Sequence, residues 1–141
     1  KLLKKIDIFF INESEARELT GESILVKAAK GILKIGPKKV IIKKGEHGSL
    51  LFSKNSIFSI PAYLLESIYD PTGAGDTFAG GVMGYLAASR GNSQNALRKA
   101  IVYGSVMATF AVEDFSLRRL GSVTKKDIAR RFNKFKKLTN F

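Results

Sequence analysis

Asp70-Pro71-Thr72-Gly73-Ala74-Gly75-Asp76-Thr77-Phe78-Ala79-Gly80-Gly81 is the stretch on which the reading of the chain turns. Pro71 fixes φ and stops a helix from running in from Tyr69. Gly73 and Gly75 carry no side chain, so a ligand can come close to their backbone. The pattern predicts a helix that starts near Gly75 and runs through Gly84 toward Ser89. The first N–H groups of such a helix have no partner inside it, and the helix dipole makes that end positive. A phosphate is the natural guest there. Asp76 then places a carboxylate beside the anion site, where one is needed if a hydroxyl is to lose its proton and attack phosphorus. The structural alternative is a plain strand-to-helix turn with an Asp that favours the dipole. No Lys-Ser or Lys-Thr follows the glycines, which excludes a Walker A loop.

The whole string closely resembles the C-terminal signature of the ribokinase-like, or PfkB, family of carbohydrate and nucleoside kinases. The resemblance implies that Gly73, Ala74 and Gly75 form the anion hole at a phosphoryl-transfer site. It also implies that Asp76 is the base that deprotonates the acceptor hydroxyl. Asp70 and Thr72 match family positions that help to bind a monovalent cation such as K⁺. Asp70 before Pro71 is equally suited to forming the turn itself.

Bulk composition narrows the class. The 141 residues are 45% hydrophobic, enough for a packed core. No apolar run approaches a membrane span, and Ile6 to Ile11, interrupted by Asp7, is too short for a secretory signal. With no Cys there is neither a disulfide framework nor a thiolate metal site, which fits a cytoplasmic protein. The net charge of +12 invites a nucleic-acid reading. Its distribution argues against a dedicated site. The positive charges are spread over Lys1 to Lys5, Lys34 to Lys44, Arg118-Arg119 and Lys125 to Lys137, and no stretch alternates them with aromatics as a stacking groove would.

Taken in order, Ile6-Asp7-Ile8-Phe9-Phe10-Ile11 reads as a strand buried on both faces, as in a parallel sheet. Asn12 and Glu15 follow at its C-terminal end, where sites of open α/β sheets gather. By themselves they make a helix cap and its capping-box partner. They also match the family's Asn-x-x-Glu motif, which implies that they organise Mg²⁺ through water. Mg²⁺ needs few carboxylates, so one Glu and one amide suffice chemically. Ser23 is expected to cap a helix with Leu25, Ala28, Ala29, Ile32 and Ile35 on its apolar face, ended by Gly36-Pro37. Val40-Ile41-Ile42 and Ser49-Leu50-Leu51-Phe52 are strands joined by a turn over Lys43 to Gly48, and Ile57 to Ile60 is another. A hairpin turn with two glycines explains this stretch without any function. The resemblance implies that it holds the nucleotide through backbone groups, with Gly45 and Gly48 at the matching positions. Glu46 lies between them, and Lys43 at the strand end is suited to phosphate charge or equally to solvent. His47, the single His, falls among turn residues and is expected to be exposed.

The central helix carries Ala79, Gly80, Gly81 and Gly84, and so much Gly costs helix stability, which predicts close packing against sheet or ligand. Gly91-Asn92 breaks the chain, Ser93 caps the next helix, and Thr124 caps a last one with Ile128, Phe132 and Phe135 on its apolar face. Family members often carry Arg-x-Gly-Ala after the helix begun at Ser93. This chain has Glu113-Asp114-Phe115-Ser116-Leu117-Arg118-Arg119-Leu120 instead, so no adenine contacts are assigned there and cation dependence stays open.

The expected fold is α/β, a three-layer α/β/α ribokinase-like arrangement. Residues 1–141 are expected to be the C-terminal, nucleotide-binding part of one kinase domain, without the N-terminal half and lid that hold the acceptor. Such a piece is expected to have little activity alone, and the strand edge it leaves open favours self-association. The function implied by the resemblance is transfer of the γ-phosphoryl group of ATP, with Mg²⁺, to a hydroxyl of a sugar or nucleoside. The alternatives are a kinase of a vitamin precursor, a non-catalytic nucleotide- or anion-binding module, and a basic nucleic-acid binder.

Overall fold

The computed structural model describes residues 2–91, 93–114 and 118–140. Asn92 of the expected break, and Phe115, Ser116 and Leu117 of the divergent segment, lie outside the described residues. The chain forms two compact units, 1–62 and 63–141.

The first unit is built on a four-stranded sheet in sequence order: β1 (Ile8–Asn12), β2 (Lys39–Lys43), β3 (Ser49–Ser53) and β4 (Ser56–Ile60). β1 and β2 are parallel, joined by a crossover through α1 (Glu13–Thr20) and α2 (Leu25–Ile35). β2, β3 and β4 follow as antiparallel hairpins. The sheet is thus mixed, with β1 and β4 at its edges. Strand alternation sorts the side chains. Ile11, Val40, Ile42 and Phe52 join Ala16, Ala28, Ala29 and Ile32 in one buried cluster. The opposite face carries the row Phe10, Ile41, Leu51 and Phe58, matched residue for residue across the ladders. Val40, Ile41 and Ile42 are all fully buried, so β2 is shielded on both faces.

Small residues let α2 approach the sheet, and Ala28, Ala29 and Ile32 are its buried stripe. Two details differ from the sequence reading. The residue that caps α2 is Ile24, with no side-chain cap bond, rather than Ser23. Ile35, in the last turn, is exposed. Gly36 ends the helix as expected, and a Cβ there would lie 2.5 Å from the Lys4 Cα.

The second unit is helical: α3 (Ala74–Ser89), α4 (Gln94–Val112), α5 (Arg118–Ser122) and α6 (Lys125–Thr139). Ser93 caps α4 through the Ala96 N–H at 3.1 Å. Thr124 caps α6 in a reciprocal box with Asp127. The short α5 was not foreseen. The glycines of α3 sort into two groups. A Cβ on Gly81 would meet the Gly104 Cα at 2.9 Å, and one on Gly104 would meet Val82 Cγ2 at 2.6 Å and the Phe78 carbonyl oxygen at 2.7 Å. Gly80 and Gly84 face open space. The packing that requires glycine at Gly81 is therefore helix against helix, α3 on α4.

Aromatic rings extend that contact. Tyr85 of α3 stacks on Tyr103 of α4 at 4.6 Å, and Tyr103 stacks on Phe132 of α6 at 4.4 Å. Arg131 of α6 bonds Glu113 at 2.6 Å and the Thr109 hydroxyl at 2.8 Å, and lies 3.8 Å from the Phe110 ring centroid. Among the described residues, no helix is long and apolar enough to cross a membrane.

Gly104→Ala is expected to cost about 1–3 kcal/mol, the usual penalty for overpacking a tight contact. Gly84→Ala should instead be neutral or stabilise by up to about 1 kcal/mol through helix propensity. Urea midpoints of the two variants check both signs.

Candidate active site

In the first unit, β1 and β2 deliver their candidate residues to one end of the sheet. Asn12 closes β1 and Lys43 closes β2, and the two are register partners. Asn12 Oδ1 accepts from the Glu15 N–H at 2.8 Å, while Glu15 Oε2 accepts from the Asn12 N–H at 2.9 Å. The Ser14 hydroxyl also donates to Asn12 Oδ1, at 3.0 Å. The motif is thus a complete capping box at the start of α1. That local role leaves Glu15 exposed at the strand end.

The turn after β2 is a single 3-10 turn over Gly45, Glu46 and His47. Gly45 and Gly48 have φ of 55° and 87°, in the left-handed region. The two glycines differ in surroundings. A Cβ at Gly45 meets nothing within 4 Å, whereas one at Gly48 would collide with the Ile60 carbonyl oxygen and Pro61. Gly48 is therefore required by packing, and Gly45 leaves backbone open to approach. Glu46 and His47 are exposed, and Lys43 is half-buried.

One acidic residue escaped the sequence reading. Glu13 bonds Arg17 at 2.6 Å, and that bond holds its carboxyl below the usual range, with Arg17, Lys44 and His47 adding charge. It brings an anion beside the Lys44–His47 turn. Its place in the first turn, four residues before Arg17, was the signal available.

In the second unit, Gly73 is the N-cap of α3 at φ 77°, and no atom lies within 4 Å of where its Cβ would be. The helix begins one residue earlier than Gly75. Its first turn is Ala74, Gly75 and Asp76. The Gly73 carbonyl accepts from Thr77 at 2.9 Å, and the Ala74 N–H reaches the Pro71 carbonyl at 3.2 Å. Among the described residues, no backbone carbonyl accepts from the N–H groups of Gly75 or Asp76. The Asp76 carboxylate is exposed and makes no side-chain hydrogen bond to another described residue.

Asp70 and Thr72 are brought together in the turn before α3. Asp70 Oδ1 accepts from the Thr72 N–H at 2.9 Å. This bond and the Thr72 side chain hold the Asp70 carboxyl below the usual carboxylate range. A contact not foreseen anchors this turn: the Val112 carbonyl at the end of α4 accepts from Tyr69 at 2.8 Å and Asp70 at 3.4 Å. Beyond α4, Glu113 bridges Arg119 and Arg131 at 3.4 and 2.6 Å, which docks α5 and α6.

The donor chemistry suits a phosphate-bearing cofactor. Two unpaired N–H groups at a helix start, beside glycine backbone with open space, fit an anion. Among the described residues, no cluster of three or more His, Cys, Asp or Glu could hold a metal by itself. The set present fits Mg²⁺ only in its usual manner with nucleotides, through water, one or two carboxylates and substrate phosphates.

Comparison with known proteins shows the family. The pfkB family carbohydrate kinase model matches residues 1–122. The chain is 36% identical over 118 residues to a ribokinase of Staphylococcus aureus, covering 80% of this chain and 37% of that protein. It is 40% identical over 85 residues to a cytidine kinase of Thermococcus kodakarensis, covering 59% of this chain and 30% of that one. The Arabidopsis thaliana ribokinase, solved in complex with ribose and ATP, aligns with 93% of this chain at a TM-score of 0.78 and 27% identity, and 42% of its own length is covered. The chain belongs to the pfkB family of carbohydrate kinases and has the ribokinase fold. It spans about a third of the length of the curated relatives it matches.

Gly48→Ala should lower stability well beyond Gly45→Ala. The second pays only left-handed strain of about 1–2 kcal/mol, while the first must also displace backbone. Denaturant midpoints of the two variants give the order. For Asp70, the lowered folded pKa means its contribution to stability is present above the ordinary carboxylate pKa. It is lost as pH falls through the lowered value. A carboxyl NMR titration should place its midpoint below about 3.9, and Thr72→Ala should return it only part of the way, because the backbone donor remains.

Proposed function

We propose that this chain is the phosphate-handling part of an ATP-dependent kinase that phosphorylates a hydroxyl of a sugar or nucleoside. The observation that carries the reading is the Asp76 carboxylate. It is exposed, has no side-chain hydrogen bond to a described residue, and stands in the first turn of α3 beside two N–H groups that have no backbone partner among the described residues. A residue retained only to cap α3 would bond back to the helix start, as Asp127 does at α6.

ATP supplies the γ-phosphoryl group and Mg²⁺ neutralises charge on its phosphates. Asp76 accepts the proton of the acceptor hydroxyl as that oxygen attacks phosphorus. The N–H groups of Gly75 and Asp76 face the charge that develops on the phosphoryl oxygens, with Ala74 joining from its long bond to Pro71. Gly73 leaves the approach open. Asn12 and Glu15 hold Mg²⁺ through water, and Lys43, Gly45, Glu46 and Gly48 shape the nucleotide turn. Asp70 and Thr72 are the candidates for K⁺, in a turn whose carboxyl stays anionic at neutral pH. A cytoplasmic location is the reading that accompanies ATP as donor. Similarity to a ribokinase and a cytidine kinase supports a ribose-containing or related acceptor. In this reading, 1–141 forms part of one kinase domain, spans about a third of its curated relatives, and has little turnover alone.

Calorimetric titration with Mg-ATP tests the anion site. The wild-type chain should bind, Asp76→Asn should retain binding, and a Gly75→Val variant that keeps its circular dichroism should lose it. Wild-type affinity in folded Gly75→Val overturns the assignment. In any longer kinase carrying this segment, Asp76→Asn should lower kcat by about 10²–10⁴-fold.

A further inference from the structure

The first unit carries a second cationic feature at the end of the sheet away from the Gly45–Gly48 turn. A cleft of about 750 Å³ opens between the C-terminal half of α2 and the β3–β4 hairpin. Leu33, Phe52 and Ile57 contribute apolar lining. Lys30, Lys34, Lys38 and Lys54 stand around them, and no acidic residue lines the cleft. Lys38 is spent on Asp7, at 2.6 Å. Among the described residues, Lys30, Lys34 and Lys54 form no ion pair and are exposed. The cleft adjoins the register row of Lys39, Ser53 and Ser56. The nucleotide turn follows Lys43 at the other end of the same strand, roughly 13 Å away.

We propose that this cleft binds a small organic phosphate with an apolar body, independently of the kinase reading. The volume suits a small molecule, since ligand pockets are clefts of this size, and Leu33, Pro37, Phe52 and Ile57 supply the apolar part of a lining that is otherwise lysine, serine and asparagine. The charge pattern selects the anion. Three unpartnered ammonium groups around one apolar surface exceed what a monocarboxylate neutralises, and compact Lys charges suit phosphate oxygens. The apolar lining adds what inorganic phosphate cannot use. Lys34 sits in the last turn of α2, where it also offsets the helix dipole. Lys30 and Lys54 have no such duty and are the residues to reverse.

The test is a ¹H–¹⁵N NMR titration of the chain with 1-naphthyl phosphate, with inorganic phosphate and 1-naphthol as the separated halves. Saturable shifts are expected at the amides of residues 33–34 and 52–57. Each half alone should bind at least about tenfold more weakly. Lys30→Glu/Lys54→Glu should weaken 1-naphthyl phosphate by about tenfold or more, with the rest of the spectrum unchanged. Raising NaCl from about 50 to about 300 mM should weaken wild-type binding, a readout that needs no variant. The proposal is overturned by the absence of saturable shifts, or by binding indifferent to both charge reversal and salt. Shifts confined to Gly73–Asp76 or Gly45–Gly48 overturn it too, and point instead to the nucleotide site.

Discussion

The contact between Gly81 of α3 and Gly104 of α4 governs the second unit. Two backbones meet where neither can carry a side chain, and Val82 and Phe78 close around Gly104. Close-packed interiors transmit displacement rather than absorb it. The position of α3 is therefore set by α4, and with it the direction in which Gly75 and Asp76 present their N–H groups. The same α4 ends at Val112, whose carbonyl fixes the backbone of Tyr69 and Asp70. One helix thus constrains both the turn that leads into α3 and α3 itself. The ring stack Tyr85–Tyr103–Phe132 carries the constraint on to α6.

A different constraint arranges the first unit. Parallel pairing of β1 and β2 makes Asn12 and Lys43 register partners, although α1 and α2 separate them in sequence. Parallel strands end together, so whatever follows each strand arrives at one edge. Asn12 and Glu15 come from one connection and Gly45 to Gly48 from the other. The mixed topology then returns β3 and β4 by hairpins. That return places the Ile60 carbonyl against Gly48 and gives the turn its shape.

Much of this was legible in the sequence because the signals were local. Pro71, the glycines and the apolar periodicity marked α3 to within one residue. The strands around Val40, Leu51 and Phe58 followed from short β-branched and aromatic runs between turn residues. The long signature around Asp76 carried the family, which composition alone would have missed behind the +12 charge. What stayed hidden was non-local. Nothing near Gly81 announces Gly104 as its neighbour, so the glycines of α3 looked like preparation for sheet or ligand. The Val112 carbonyl is a backbone atom more than 40 residues from its partners and has no sequence signature. Ser23 looked like a better cap than Ile24 by propensity, but burial of Ala28 and Ala29 sets the register of α2.

The reciprocal bonds between Asn12 and Glu15 have an evolutionary consequence. The pair stabilises α1 whether or not a metal ever comes near it. In a family member that stopped phosphorylating, selection for folding would still hold these two residues, and the motif would outlast the activity. Asp76 enjoys no such protection, because its carboxylate has no structural partner among the described residues. Across a lineage, drift at Asp76 against a steady Asn12 and Glu15 would be the fossil of a kinase turned to other work.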